Sequence, residues 1–260
     1  MPSPSLLVSC QGSVLKLTIN RPEQRNALSL SLLDEIGACL RDHEHHSELR
    51  CAVITATGDR CFAAGGDLKE LDAVRSEEQA RAMSRRGRRA MDSVRRFPVP
   101  VVAALNGLAL GGGAELAMAC DQRIAAEHAE IGFLQGQLNV TTAWGGGIDL
   151  IAAVGHQRAL ELLLSARRIP AAEAVKLGLF AAVCESGQTL DDCVQAFIDP
   201  WLNRSAAVMR GYKALAMRER CTTHERLSPI EQRHFVETWI HEDHWTAVDA
   251  AAHQRARKKT

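Results

Sequence analysis

The chain has 260 residues, 46% hydrophobic and 24% charged, an ordinary globular balance sufficient for one large domain or a domain with an appendage. Its 31 basic and 31 acidic side chains cancel, which argues against a bulk nucleic-acid binder. No apolar run approaches the ~18 residues of a membrane span, and the N-terminus lacks the basic start and long apolar core of a signal peptide.

The eight cysteines are scattered, without CxxC or Cys/His ligand spacing, and read as buried free thiols of a reducing cytoplasm. Ser13–Asn20 alternates apolar and polar residues and predicts a strand. Pro22 and Asn26 break the chain in "RPEQRNALS". Ser29 then caps a helix over Ser31–His43, whose Leu32, Leu33, Ile36 and Leu40 recur at helical spacing. Cys51–Gly58 reads as a short buried strand, followed by a turn at Gly65–Gly66 with Asp67 as a cap. Residues 76–96 predict a basic helix, broken by Pro98 and Pro100 before a strand over Val101–Gly107. A helix from about Gly113 to Cys120, the strand "QRIAAE" and a long irregular loop, "GFLQGQLNVTTAWGGG", come next. "HQRALELLLSA" is a helix, and "PAAEAVKLGLFAAVC" is a helix ending at Gly178 and then a strand. From about Leu190 the chain is mostly helical, including one docking helix, "EQRHFVETWIHEDHWTAVDAA", with Phe235 and Trp239 on one face. Strands alternating with helices predict an α/β class, organised as one domain with a core over residues 1–190 and a helical region over 191–260.

Two turns carry chemistry. In "LNGLALGGGAELAMACD" a strand leads through Gly111–Gly113 into a helix N-terminus, where free backbone N–H groups and the helix dipole favour negative charge. This fits a phosphate cradle, an oxyanion hole or simply tight packing. The spacings GxxxxGK[ST], GxGxxG and GxSxG do not occur. The turn in "CFAAGGDLKEL", at Gly65–Gly66, supplies further amides, and the pair suggests two backbone donors converging on one oxygen.

"NRPEQRNALS", "CFAAGGDLKEL", "NGLALGGGAELAMACD" and "AAEAVKLGLFAAV" resemble, in order and spacing, the enoyl-CoA hydratase/isomerase family of the crotonase superfamily, from about Val14 to Val183. The resemblance implies a crotonase-like spiral of ββα turns with a C-terminal helical region, assembled as a homotrimer or dimer of trimers. It implies an oxyanion hole on the amides of Gly66 and Gly112, polarising the carbonyl of an acyl-CoA substrate. It places Arg25, Ala27, Leu28, Ala64, Asp67, Leu68 and Lys69 along the CoA chain and nucleotide. Arg25 and Lys69 either meet phosphates or remain solvated charges. Glu115 takes the proton-transfer role, and burial among apolar neighbours should raise its pKa toward the working range.

The family's hydratases place a second glutamate about twenty residues on, which falls here on Gln135. No acid occurs between Ile131 and Gly147. Glutamine binds water but does not shuttle a proton, so two-carboxylate hydration is in doubt. A one-acid reaction is favoured, with a lean to decarboxylation of a short malonyl-type CoA. "TAWGGG" and "RALELLLSA" are similar to the methylmalonyl-/ethylmalonyl-CoA decarboxylase branch. Enoyl-CoA hydration and isomerisation stay open, as does a noncatalytic acyl-CoA- or RNA-binding role. Trp144 either shapes the acyl site or is a core or trimer-contact indole. The seven arginines of Arg81–Arg96 form a solvated face, a rim attracting CoA phosphates, or an RNA contact. His224, His234, His241 and His244 read as surface or interface residues, with one of them reaching the site as the alternative, and not as metal ligands. No metal or redox cofactor is expected, CoA being part of the substrate, and neither nucleic acid nor membrane is an expected partner.

Overall fold

The computed structural model describes residues 3–257; the side chains of Leu68, Lys69 and residues 254–257 lie outside the described residues. In chain order the elements are β1 (Leu6–Gln11), β2 (Val14–Ile19), α1 (Leu30–His43), β3 (Cys51–Ala56), β4 (Cys61–Ala63), α2 (Leu68–Leu71), α3 (Glu77–Arg95), β5 (Val101–Leu105), β6 (Leu108–Leu110) and α4 (Gly112–Ala119). Then follow β7 (Gln122–Ala125), β8 (Glu130–Gly132), α5 (Gly146–Ser165), β9 (Ile169–Pro170), α6 (Ala171–Lys176), β10 (Ala182–Val183), α7 (Leu190–Leu202), α8 (Ala206–Ile240) and α9 (Glu242–Arg257).

One sheet has the order β1-β2-β3-β5-β7-β10, the other β4-β6-β8-β9. Each spiral turn therefore gives one strand to each sheet and then a helix: β3, β4 and α3; β5, β6 and α4; β7, β8 and α5. Within the first sheet β2 through β10 run parallel, with β1 antiparallel at the edge. Covering both faces of that sheet explains its sequence patterns. On β2 only Leu15, Leu17 and Ile19 turn inward, into one core with Leu32, Leu33, Ile36 and Leu40 of α1. On β3 both faces are buried: Ala52 and Ile54 join that core, while Cys51 and Val53 pack with Cys193, Val194 and Ile198 of α7.

Ser29 caps α1, its hydroxyl accepting from the Leu32 amide, as its place in the sequence predicts. The alternation over Ser13–Asn20 becomes β2. Four expectations change. The hairpin strand β1 and the short strands of the second sheet carry no readable periodicity. The expected loop over 132–147 contains a 3-10 turn, Leu134–Leu138, and α5 begins at Gly146, ten residues before His156. Gly155, at φ 76, kinks α5, and the helix expected from His156 is its second half. The single docking helix is two, α8 and α9, parted at His241.

Candidate active site

The turn after β4 and the turn after β6 lie side by side. Gly111 adopts φ 53 and ψ −118, open to glycine but not to ordinary side chains, and so starts α4 directly after β6. A side-chain carbon on Gly65 would sit 3.9 Å from the Gly112 nitrogen. Neither the Gly66 nor the Gly112 amide donates to an acceptor among the described residues. Both glycines line a cavity of about 530 Å³ together with Glu115, Gln135 and Trp144.

Glu115 stands in the first turn of α4, 2% exposed. Its Oε2 accepts from the amides of Trp144 (2.8 Å) and Gly146 (2.9 Å). Its Oε1 accepts from Gln135 Nε2 (3.1 Å) and, at 3.4 Å, from the Ala143 amide. Such an approach needs glycine at 146, where a side-chain carbon would lie 2.3 Å from Glu115 Cγ. Burial pushes the Glu115 carboxyl up to about 7, reinforced by the charge of Glu231 and opposed by the three backbone donors. Gln135 uses its amide nitrogen on Glu115, while its Oε1 is buried without a partner.

Trp144 is 4% exposed, with its ring against the oxyanion-type turns: a side-chain carbon on Gly112 would sit 2.4 Å from Cζ3, and one on Gly66 3.7 Å from Cη2. The indole is thus both a core group and a wall of the cavity. Gly112→Ala is expected to displace the ring and the amide beside it, lowering turnover at least about a hundredfold. Steady-state kinetics, with circular dichroism to check the fold, tests this.

The remaining sequence-derived candidates divide. Arg25 and Ala64 line the cavity. Arg25 has φ 51, and the next residue, Asn26, is held by its side chain to the carbonyls of Thr57 (3.1 Å) and Cys61 (2.7 Å). Ala27, Leu28 and Asp67 do not line it. They brace the turn: the Leu28 amide donates to the Gly65 carbonyl, Asp67 N donates back to the Leu28 carbonyl, and Arg21 links the Ala27 carbonyl, to which it donates, with the Asp67 carboxylate, which it pairs at 2.8 Å. Leu68 and Lys69 have side chains outside the described residues. Of the arginine-rich helix, Arg88 pairs with Glu231, Arg95 with Asp149 and Asp92, and Arg86 with Asp34, so these three are committed internally and form no phosphate rim. Among the described residues the arginines that line the cavity are Arg25 and Arg168.

Two of the histidines expected at a surface or interface are buried, and one of them, His244, is the histidine that reaches the site. His224 Nε2 lies 2.8 Å from Asp149 Oδ1. His244, 1% exposed, lines the cavity beside Trp239, and its Nδ1 donates to the Leu138 carbonyl at 2.6 Å. Burial lowers the His244 pKa, which favours the neutral ring. Phe235 and Trp239 line the same cavity, which places the C-terminal helices over the site. Among the described residues no three His, Cys, Asp or Glu side chains gather as a metal site, and no helix is long and apolar enough to cross a membrane.

The model of the enoyl-CoA hydratase/isomerase family matches residues 9–256. The chain belongs to that family. It is 31% identical over 251 residues to a short-chain-enoyl-CoA hydratase of Clostridium acetobutylicum, covering 96% of this chain and 95% of the relative. It is 33% identical over 227 residues to a crotonyl-CoA hydratase of Syntrophomonas wolfei, covering 87% and 86%. Among solved structures, an enoyl-CoA hydratase from Bacillus anthracis superposes with a TM-score of 0.78 at 32% identity, covering 98% of this chain and 96% of that one. Another, from Mycobacterium avium subsp. paratuberculosis K-10, superposes at 0.84 with 25% identity, covering 95% and 98%. The chain is thus a crotonase-superfamily enzyme acting on acyl-CoA, with the mixed α/β spiral of that family. Within this family frame no local motif marks Glu231, Arg88, Asp149 and Arg95, which packing of α3, α5 and α8 brings behind the site, or Arg168, which the connection from α5 to β9 brings to the cavity wall.

Proposed function

We propose that the protein adds water across the double bond of an enoyl-CoA thioester. One observation carries this: the two oxygens of Glu115 have different surroundings. Oε2 is occupied by two backbone amides at 2.8 and 2.9 Å, whereas Oε1 accepts from Gln135 Nε2 at 3.1 Å and only a long 3.4 Å bond from the Ala143 amide, and the Gln135 Oε1 beside it has no partner. A water between these two Oε1 atoms has an acceptor for each proton and a lone pair free for the β-carbon. The Gly66 and Gly112 amides hold the thioester oxygen and the charge that develops on it as the enolate forms. Glu115 takes one proton from the water as its oxygen bonds to C3, then returns that proton to C2. The second proton stays on the new hydroxyl, so atoms balance with one carboxylate as base and acid. A carboxyl ionising near 7 suits both roles. Arg25 and Arg168 supply cationic contacts for the CoA phosphates.

The relatives named for hydration support this reading, and the lean to decarboxylation gains nothing from them. Isomerisation is the second reading, favoured by glutamine at 135: the same carboxylate would move a proton between C4 and C2 without water. A panel of crotonyl-CoA, a 3-enoyl-CoA, methylmalonyl-CoA and ethylmalonyl-CoA, followed by mass, tests these readings. Crotonyl-CoA is expected to gain one water. Rearrangement of the 3-enoyl-CoA alone, or loss of carbon dioxide from a malonyl thioester alone, overturns hydration. Gln135→Leu removes both the contact to the attacking water and the Nε2 hydrogen bond to Glu115, and is expected to slow hydration at least roughly tenfold.

A further inference from the structure

Three consecutive amides are shared in alternation between two buried carboxylates. Trp144 N and Gly146 N donate to Glu115, and Gly145 N, between them, donates to Glu231 Oε2 at 2.9 Å. Glu231 Oε1 accepts the Thr142 hydroxyl at 2.6 Å, and Arg88 of α3 pairs with Oε2. The Glu231 side chain is 8% exposed and is not part of the cavity wall, so it stands behind the strip that Glu115 touches from the front.

We propose that Glu231 is a positioning residue of this site: from behind the strip it fixes Thr142 and Gly145, and so aims the Trp144 and Gly146 amides at Glu115 while setting a second negative charge beside it. The proposal deepens the reading of Glu115 as the proton carrier. The other charged and titratable groups around the strip come from α3 (Arg88, Arg95), α5 (Asp149) and α8 (Arg220, His224), with His244 of α9, Arg25 and Arg168 on the cavity side. Arg95, Arg220 and His224 converge on Asp149, which leaves Glu231 and Arg88 as the ion pair directly behind the strip that Glu115 touches. A negative charge behind Glu115 disfavours its ionised form, and the Arg88 cation partly offsets that charge.

The two partners must therefore act with opposite sign. Carboxyl carbon NMR of the 13C-glutamate-labelled protein reads Glu115 directly, its signal identified by its loss in E115Q. E231Q is expected to lower the Glu115 midpoint by about one pH unit or more, and R88M to raise it. The pH profile of kcat/KM on crotonyl-CoA should move the same way. T142V keeps both charges and cuts a positioning contact, so it should lower kcat with the midpoint in place. E231Q and R88M break the same ion pair, so a merely structural role gives similar destabilisation and no opposed displacement. An unmoved midpoint, or one moved the same way in both variants, overturns the proposal. If E231Q does not fold, the R88M sign decides. The NMR titration does not depend on turnover, so failure to hydrate crotonyl-CoA would remove the functional reading while this test still stands.

Discussion

Glu115→Gln is expected to lower kcat on crotonyl-CoA roughly a thousandfold while leaving the affinity for a saturated acyl-CoA within about twofold. No other carboxylate among the described residues lines the cavity, so no neighbour takes over the proton. The amide still accepts from Trp144 N and Gly146 N through its oxygen, which keeps the strip and the cavity in shape. In wild type the proton-accepting form needs Glu115 ionised, so kcat/KM should rise with pH through about 7. Stability moves oppositely. A carboxyl raised in the folded state contributes most below its unfolded value, ~4.3, and its contribution is lost as pH rises through 7. The E115Q protein should therefore melt above wild type at pH 8, with the margin shrinking toward pH 5. Calorimetry at both values, beside acyl-CoA titrations, checks this. A variant that keeps its turnover sinks the assigned role, and one that loses affinity in parallel with turnover shifts Glu115 to a binding role.

Much of this site lies in local sequence. The glycine triplet, Glu115 four residues into α4 from Gly111, and Gln135 twenty residues later are each set by short-range geometry: a strand end, a tight turn, a helix start. The helix α1 was legible for the same reason, since its apolar spacing and Ser29 cap are local. The second sheet was not. Its strands span only two or three residues, too few to show a period of two, and they exist because β4, β6 and β8 pair across the spiral. The loop before α5 looked irregular because its order comes from elsewhere: Ser84 donates to the Ala143 carbonyl at 3.0 Å, Arg95 to the Trp144 carbonyl at 2.8 Å, and Glu231 receives Gly145. Likewise nothing in "RAMSRRGRRAMDSVRR" distinguishes Arg88 and Arg95, turned inward, from Arg85, Arg89 and Arg96, which are exposed. Partners on α5 and α8 make that distinction.

Asp149→Asn should show how far this hidden scaffold supports the site, with an expected loss of about 3–5 kcal/mol at pH 7. Asp149 is 3% exposed in its side chain and receives Arg95 (2.9 Å), Arg220 (2.9 Å) and His224 (2.8 Å). The isosteric amide leaves two guanidiniums without their shared anion in a dry interior, and Arg95 is itself only 2% exposed. At roughly 2–4 °C per kcal/mol for a chain of this size, the melting temperature should fall by about 10 °C. The pH dependence separates this charge loss from a packing defect. Burial alone would raise the Asp149 carboxyl, but the guanidiniums of Arg95 and Arg220 and the imidazole of His224 override it and hold the group well below the usual carboxylate range. A carboxyl depressed in the folded state contributes fully above its unfolded value, ~3.9, and progressively less as pH falls below it. The gap between wild type and D149N should thus be full at pH 7 and smaller at pH 3.5, measured by urea unfolding at each. A gap equal at both values would mark a packing defect instead. Because Arg95 also holds the Trp144 carbonyl, a released Arg95 loosens the strip that presents two amides to Glu115, and kcat should fall with stability. Full kcat in a destabilised D149N would show that Ser84, Glu231 and Glu115 hold the strip without it.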